Sequence, residues 1–230
     1  MKRKTLLDTG IGLLLVFILW TALIMRVDVQ PVGPLDTEVG FASWNVWFHN
    51  LTGVNMTLYT ITDWLGLVPF LICGCFGIIG LLQWIRRKKL LLVDLDILIL
   101  GVYYLLVIAF YLLFEIMHLN YRPVLIDGNL EASYPSSTTL LVLSVMPTLV
   151  YQTNRRCANR SLRHLAALFS ALFSMFMVIG RLIAGVHWLT DIAGSVFLSA
   201  GLFLLYLAAV DIISSGKPSM LSEQPDRPRQ

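Results

Sequence analysis

Six apolar runs, each near the length a helix needs to cross a bilayer, dominate this chain and leave it few folds. A transmembrane helix takes roughly 20 residues. The runs fall at 6–25, 65–85, 91–114, 137–151, 165–179 and 190–210. With 57% hydrophobic and 13% charged residues and a mean hydropathy of +0.75, the composition excludes an ordinary soluble domain. The expected fold class is an all-α membrane protein, a bundle of six transmembrane helices occupying residues 1–212. The fourth and fifth runs are short and are expected to extend into the loops beside them. The segment 213–230 is Ser/Pro-rich and polar, and reads as a disordered cytoplasmic tail.

Orientation follows from the 17 basic residues. Lys2, Arg3 and Lys4 precede the first run, and Arg86, Arg87, Lys88 and Lys89 follow the second. Arg155, Arg156, Arg160 and Arg163 separate the fourth and fifth, and Lys217, Arg227 and Arg229 lie in the tail. Arg26, Arg122 and Arg181 alone fall on the other side. The positive-inside rule then makes both termini cytoplasmic and puts those three arginines outside. A net charge of +3 reflects this topology and gives no support to a nucleic-acid partner. The first run is too long for a signal peptide and no small-residue cleavage site follows it, so it is read as an uncleaved helix.

Cys73, Cys75 and Cys157 are too few for a disulfide framework. Gly74, Gly77 and Gly80 stand beside the first two at three-residue spacing and read as a close helix-packing face. Asp94 and Asp96, at the inner end of the third run, are expected to pair with the basic stretch 86–89. Outside the membrane, the segment 27–63 carries Phe41, Trp44, Trp47 and Phe48 and suits the outer headgroup layer. The segment 115–135 is the densest polar cluster outside, and 181–190 is a short turn.

These outer segments hold the chemistry. Arg181, His187 and Asp191 lie where two membrane helices meet water, and an ionisable trio there is a site hypothesis by default. His187 and Asp191 are four apart. On a helix starting near Trp188 they share a face, and Asp191 can hold the imidazole through one ring nitrogen, leaving the other free. Pro135 followed by Ser136, Ser137, Thr138 and Thr139 is a helix-start signature with unpaired backbone N–H groups. Such an end binds anions, phosphate above all. Arg122 and Arg181 supply forked contacts to phosphate oxygens, and a neutral, carboxylate-backed imidazole supplies a nucleophile. One histidine among arginines is not a divalent-metal donor set, so neither a metal nor any other cofactor is expected.

Three stretches resemble the signatures of the type 2 phosphatidic acid phosphatase superfamily, integral-membrane lipid phosphatases with a six-helix core. The signatures are Lys-x6-Arg-Pro, Pro-Ser-Gly-His and Ser-Arg-x5-His-x3-Asp. They are matched in order by Arg122-Pro123, by Pro135-Ser136, and by Gly180-Arg181-x5-His187-x3-Asp191, over a core of about 65–210. The resemblance implies that His187 forms a phosphohistidine and that Asp191 orients and charge-stabilises it. It implies that Arg122, Arg181 and the stretch Ser136, Ser137, Thr138 bind the phosphoryl oxygens of a membrane lipid phosphate. Two positions depart: Glu115 stands where the first signature has Lys, and Ser137-Thr138 where the second has Gly-His. The histidine that protonates the leaving alcohol is therefore replaced by Thr138, a hydroxyl with too high a pKa for the task.

Three accounts follow from that loss. Glu115 or His118 serves as the acid; the leaving group is a phosphate or diphosphate that needs less protonation; or the chain binds lipid phosphate headgroups without turnover. A small transporter has little support, since no run is visibly broken. Topology is directly testable. Single cysteines in a background lacking Cys73, Cys75 and Cys157 should react with an impermeant thiol reagent from outside at 117–133 and 181–188, and only from inside at 86–89 and 154–163. External labelling of 154–163 would overturn the orientation.

Overall fold

The computed structural model describes residues 3–215. They fold as eight α-helices: α1 (Arg3–Ile24), α2 (Ala42–Thr52), α3 (Met56–Leu65), α4 (Leu67–Arg87), α5 (Leu95–Met117), α6 (Ser137–Arg156), α7 (Arg160–Ile183) and α8 (Leu189–Ser215). The all-α class is as expected. Five segments are long and apolar enough to cross a membrane: α1, α3 continued by α4, α5, α7 and α8. The expected fourth span, α6, is a 20-residue helix but falls outside that group.

The reason lies in its place and its residues. It packs against α4, α5, α7 and α8 at once, and carries Thr138, Thr139, Ser144, Thr148 and Gln152 buried. Hydroxyls are tolerable in an apolar interior only when they find partners. The hydroxyls of Tyr104 and Thr148 lie 2.6 Å apart, Gln152 Nε2 donates to the Tyr206 hydroxyl at 2.9 Å, and the hydroxyls of Tyr103 and Ser170 donate to the carbonyls of Ser144 and Met146 at 3.0 and 2.9 Å. Those two carbonyls lie in the turn before Pro147, which itself has no N–H to give the helix ladder.

α1 and α8 run antiparallel over most of their length. Gly10 and Gly201 face each other at their crossing, where a Cβ on either would come within 3.2 Å of the other's carbonyl oxygen. Trp20 Nε1 donates to the Thr190 carbonyl at 3.1 Å, so the far end of α1 meets the start of α8. Both described chain ends therefore lie at one end of the bundle. At that end Asp94 pairs with Arg87 at 2.9 Å and Arg156 at 3.0 Å, and Asp96 pairs with Arg156 at 2.7 Å and Arg155 at 3.4 Å. Arg87 comes from the expected basic stretch. The other two partners are brought there by the end of α6, a contact between distant segments.

Three further differences from the sequence reading have simple causes. Gly74 and Gly77 face open space, and only Gly80 meets a neighbour, Ile97 of α5. The glycine face borders an apolar groove of about 410 Å³ between α4 and α5, because α4 buries Pro69 and Phe76 instead. α8 continues through 213–215, the start of the segment read as tail, carried by the apolar pair Ile212 and Ile213; residues 216–230 of that tail lie outside the described residues. The aromatic segment 27–63 contains two helices. Trp44 and Trp47 are exposed on α2, while its Asn45 is buried and donates to the Gly40 carbonyl and the Thr190 hydroxyl at 2.8 and 3.0 Å.

Gly185, in the turn between α7 and α8, has φ +68°, and a Cβ there would fall 2.0 Å from the Gly53 carbonyl oxygen. Gly185→Ala should destabilise the protein by roughly 1–3 kcal/mol from backbone strain alone, read as a lower unfolding temperature in detergent. Gly12→Ala, where nothing lies within 4 Å, should show no loss, since alanine is the better helix former.

Candidate active site

The segment between α5 and α6 folds back as a hairpin. Tyr121 pairs with Ala132 and Ile126 with Asn129 as antiparallel bridges. Asp127 and Gly128 between them take φ +48° and +79°, the two positive values of a tight type I′ connection. The Arg122 amide donates to the Glu131 carbonyl at 3.1 Å and the Ser133 amide to the Asn120 carbonyl at 2.8 Å. Alternate residues share a face, so this register puts Asn120, Arg122, Glu131 and Ser133 on one side. The hairpin is tied to the α7–α8 turn by Trp188 Nε1, which donates to the Tyr121 carbonyl at 2.7 Å.

Arg122 meets Arg181, from the last turn of α7, over a single aromatic ring. The two guanidinium carbons lie 5.7 and 5.1 Å from the centroid of Tyr59 on α3, within cation–π range. Arg122 is 7% exposed and Arg181 1%. Carboxylates approach each: Glu131 lies 3.1 Å from Arg122 Nε and Asp63 3.5 Å from Arg181 Nη1. These approaches are poorly aligned, and Nε and Nη1 of both arginines have no hydrogen-bond partner among the described residues. Buried guanidinium N–H groups without acceptors are costly and point to an anion.

A cavity of about 660 Å³ opens beside them. Its polar wall holds Asp63, Glu115, His118, Arg122, Ser137, Thr138 and Arg181, and its apolar wall Leu67 and Phe70 of α4 and Leu112 of α5. His118 ends α5 with φ +42° and its Nδ1 lies 2.8 Å from the Ile116 carbonyl.

His187 and Asp191 are buried and do not line this cavity. The Asp191 carboxylate accepts from the Trp188 amide at 2.8 Å, from Asn120 Nδ2 at 3.4 Å, and from the Ser133 hydroxyl. Its bond to Trp188 is the returning half of a capping box at the start of α8, and its charge suits the positive end of the helix. His187 Nδ1 lies 3.1 Å from Ser133 Oγ, and Nε2 has no partner among the described residues. Burial, then the positive charges of Arg122 and Arg181, hold the His187 pKa well below the ordinary 6.5. The imidazole is thus neutral at neutral pH.

The structure brings Arg122, Arg181, Ser137, Thr138, Glu115 and His118 to one cavity. It departs from the sequence reading at three residues. His187, expected to attack the phosphate that the arginines hold, is buried and does not line that cavity. Asp191 does not hold the imidazole directly, because Oδ2 is 3.7 Å from His187 Nδ1 and the Ser133 hydroxyl bridges them. Ser136 does not face the cavity: its hydroxyl donates to Thr139 Oγ1 at 3.0 Å, its amide to the Asp191 carbonyl at 3.3 Å, and its carbonyl accepts from Ser195 at 2.9 Å. It joins α6 to α8. Sequence reasoning missed Asn120 and Ser133, though Asp127-Gly128 is a hairpin signal whose register pairs them. Nothing in the sequence marks Tyr59 or Asp63.

The decisive comparison is with family models, since the model of the PAP2 superfamily matches residues 75–213. The chain belongs to that superfamily. Its fold is similar to the crystal structure of a transmembrane PAP2-type phosphatidylglycerolphosphate phosphatase from Bacillus subtilis, with a TM-score of 0.61 and 21% identity, covering 90% of this chain and 98% of the other. No curated protein matches the chain. Family and helices together make this PAP2 chain a multi-pass membrane protein.

Two outcomes test the electrostatics. Asp63→Asn removes an exposed anion beside Arg181 and should tighten inorganic phosphate binding about 2- to 5-fold, measured by calorimetry; weaker binding would show that phosphate does not meet Arg181 there. Because the folded His187 pKa lies below 6.5, the unfolded chain takes up the proton first as pH falls. The stability from a neutral His187 is complete above pH 6.5 and is lost as pH falls toward the folded value. Between pH 7 and 5 the parent should therefore lose more unfolding temperature than His187→Gln.

Proposed function

We propose that this protein is a metal-independent lipid phosphatase or phosphotransferase. It acts on a lipid phosphate or diphosphate at the extracytoplasmic face through a phosphohistidine on His187. The observation that carries the reading is the pair of buried guanidiniums with unclaimed N–H groups on the cavity, together with a buried imidazole whose Nε2 is unclaimed and which is held neutral in part by the charges of those two arginines. The apolar wall of Leu67, Phe70 and Leu112 supports a substrate that keeps its chains in the bilayer. Phosphatidate, phosphatidylglycerol phosphate and polyprenyl diphosphates are the candidate substrates, the second by analogy with the named activity of the Bacillus protein.

In this mechanism Arg122, Arg181, Ser137 and Thr138 hold the phosphoryl oxygens and stabilise charge in the transition state. The Nε2 lone pair attacks phosphorus. The bond to the leaving oxygen breaks, and its electron pair departs with that oxygen. The ring, now phosphorylated and carrying Nδ1–H, is cationic, and the Asp191 carboxylate offsets that charge. Water then attacks phosphorus and gives a proton to the group that protonated the leaving oxygen, the P–N bond breaks, and Nε2 recovers its lone pair; with an alcohol in place of water the outcome is transfer.

The leaving oxygen needs a proton that Thr138 cannot give. Glu115 and His118 line the same cavity and are the surrogate acids, and a diphosphate substrate relieves the need. A second reading, headgroup binding without turnover, is favoured by Glu115 and Thr138 themselves, which replace a cation and an acid.

Phosphate release in detergent micelles with metal chelated separates these. His187→Ala should abolish turnover. Thr138→His should match or exceed the parent on alkyl phosphates, and Glu115→Gln or His118→Gln, whichever removes the acid, should lower that activity within the 10²- to 10⁴-fold range of acid catalysis, with a smaller loss on diphosphates. No release from any lipid phosphate, with headgroup binding that survives His187→Ala, would leave the binding reading standing.

A further inference from the structure

The coupling between His187 and Asp191 runs through a third residue, and its hydrogen-bond inventory fixes the direction of each bond. Asp191 accepts three times, from the Trp188 amide, Asn120 Nδ2 and the Ser133 hydroxyl. A serine hydroxyl has one proton to give. With that proton committed to Asp191, Ser133 Oγ can only accept from the imidazole nitrogen 3.1 Å away, His187 Nδ1. Nδ1 must then carry the ring proton. Nε2 is left with its lone pair and no partner among the described residues.

Every element of this arrangement is held from elsewhere. The Ser133 amide is paired with the Asn120 carbonyl across the hairpin, and Asn120 reaches the second Asp191 oxygen. Ser133, His187 and Asp191 are all buried, so water does not compete for the hydroxyl. Ser133 is not on the wall of the cavity that holds the arginines.

We propose that Ser133 is a positioning residue, a hydroxyl spacer between Asp191 and His187 that locks the imidazole as the Nδ1–H tautomer and presents Nε2 as the nucleophile. The inference rests on the phosphohistidine reading for its catalytic consequence, but the tautomer itself stands or falls independently. No proton is passed along the chain of bonds. As Nε2 bonds to phosphorus and the leaving oxygen takes the P–O electron pair, Nδ1 keeps its proton on Ser133 Oγ and Ser133 keeps its own toward Asp191. The carboxylate answers the new ring charge across the hydroxyl.

The test uses the full-length protein in micelles and begins with nitrogen NMR of labelled histidine, His187 assigned by its loss in His187→Gln. The expected parent spectrum has a protonated Nδ1, slow to exchange with solvent, and a bare Nε2. An Nε2–H tautomer in the parent overturns the proposal, whether or not any variant folds. Ser133→Ala should mix the tautomers and lower kcat roughly 10- to 100-fold, as loss of an orienting partner does, with KM and inorganic phosphate binding changed less than threefold. Ser133→Cys, of similar shape but a weak acceptor, should speed exchange of Nδ1–H and fall between the two in kcat; it decides the matter if the alanine variant does not fold. An unchanged tautomer and kcat in both variants would overturn the role. A parent that releases no phosphate yet shows Nδ1–H lost on removing Ser133 would sink the phosphatase reading and leave the positioning intact.

Discussion

Two positive charges kept together in a buried space are the arrangement on which the rest of this site depends. Like charges at low dielectric repel, and each has also lost its hydration. The fold meets the problem with a shared aromatic face, Tyr59, and with two carboxylates that approach without closing well-formed hydrogen bonds. A fully satisfied pair would be more stable and less useful. Glu131 and Asp63 lower the cost of the guanidiniums while leaving donors open to a stronger acceptor, and a phosphate carries more charge than either carboxylate.

Asp191 organises the other half. One carboxylate caps α8, anchors both arms of the hairpin through Asn120 and Ser133, and sets the state of His187. The hairpin that carries Arg122 is thus tied to the helix start that follows the histidine. A change at either place therefore reaches both Arg122 and His187.

Much of this was legible in the sequence for reasons of periodicity and spacing. Apolar runs marked the long helices, and the i, i+4 relation of His187 and Asp191 gave the right neighbours. The spacing gave the wrong contact, because the i, i+4 rule describes a continuous helix face and His187 lies in the turn before α8. The length of the fourth run suits one more span, and its hydroxyls and Gln152 further mark it as a helix surrounded by protein. Ser136 looked like an anion ligand because a serine before a helix so often caps it; here neighbouring α8 claims its backbone. Tyr59 and Asp63 were invisible, since only the packing of α3 against α7 brings them near the arginines, and no local pattern encodes that.

The composition of α6 has a consequence for how the protein is made. Its neighbours can be held in a bilayer by their own transfer free energy, but a helix rich in hydroxyls and amides gains too little from lipid alone to stay there. Its place depends on Tyr103, Tyr104, Ser170 and Tyr206, which come from helices synthesised both before and after it. The central helix is therefore the last to become secure during biogenesis. Until α8 arrives it is the segment that quality control would find exposed, so lesions in distant helices should shorten the life of the chain before they reach its chemistry.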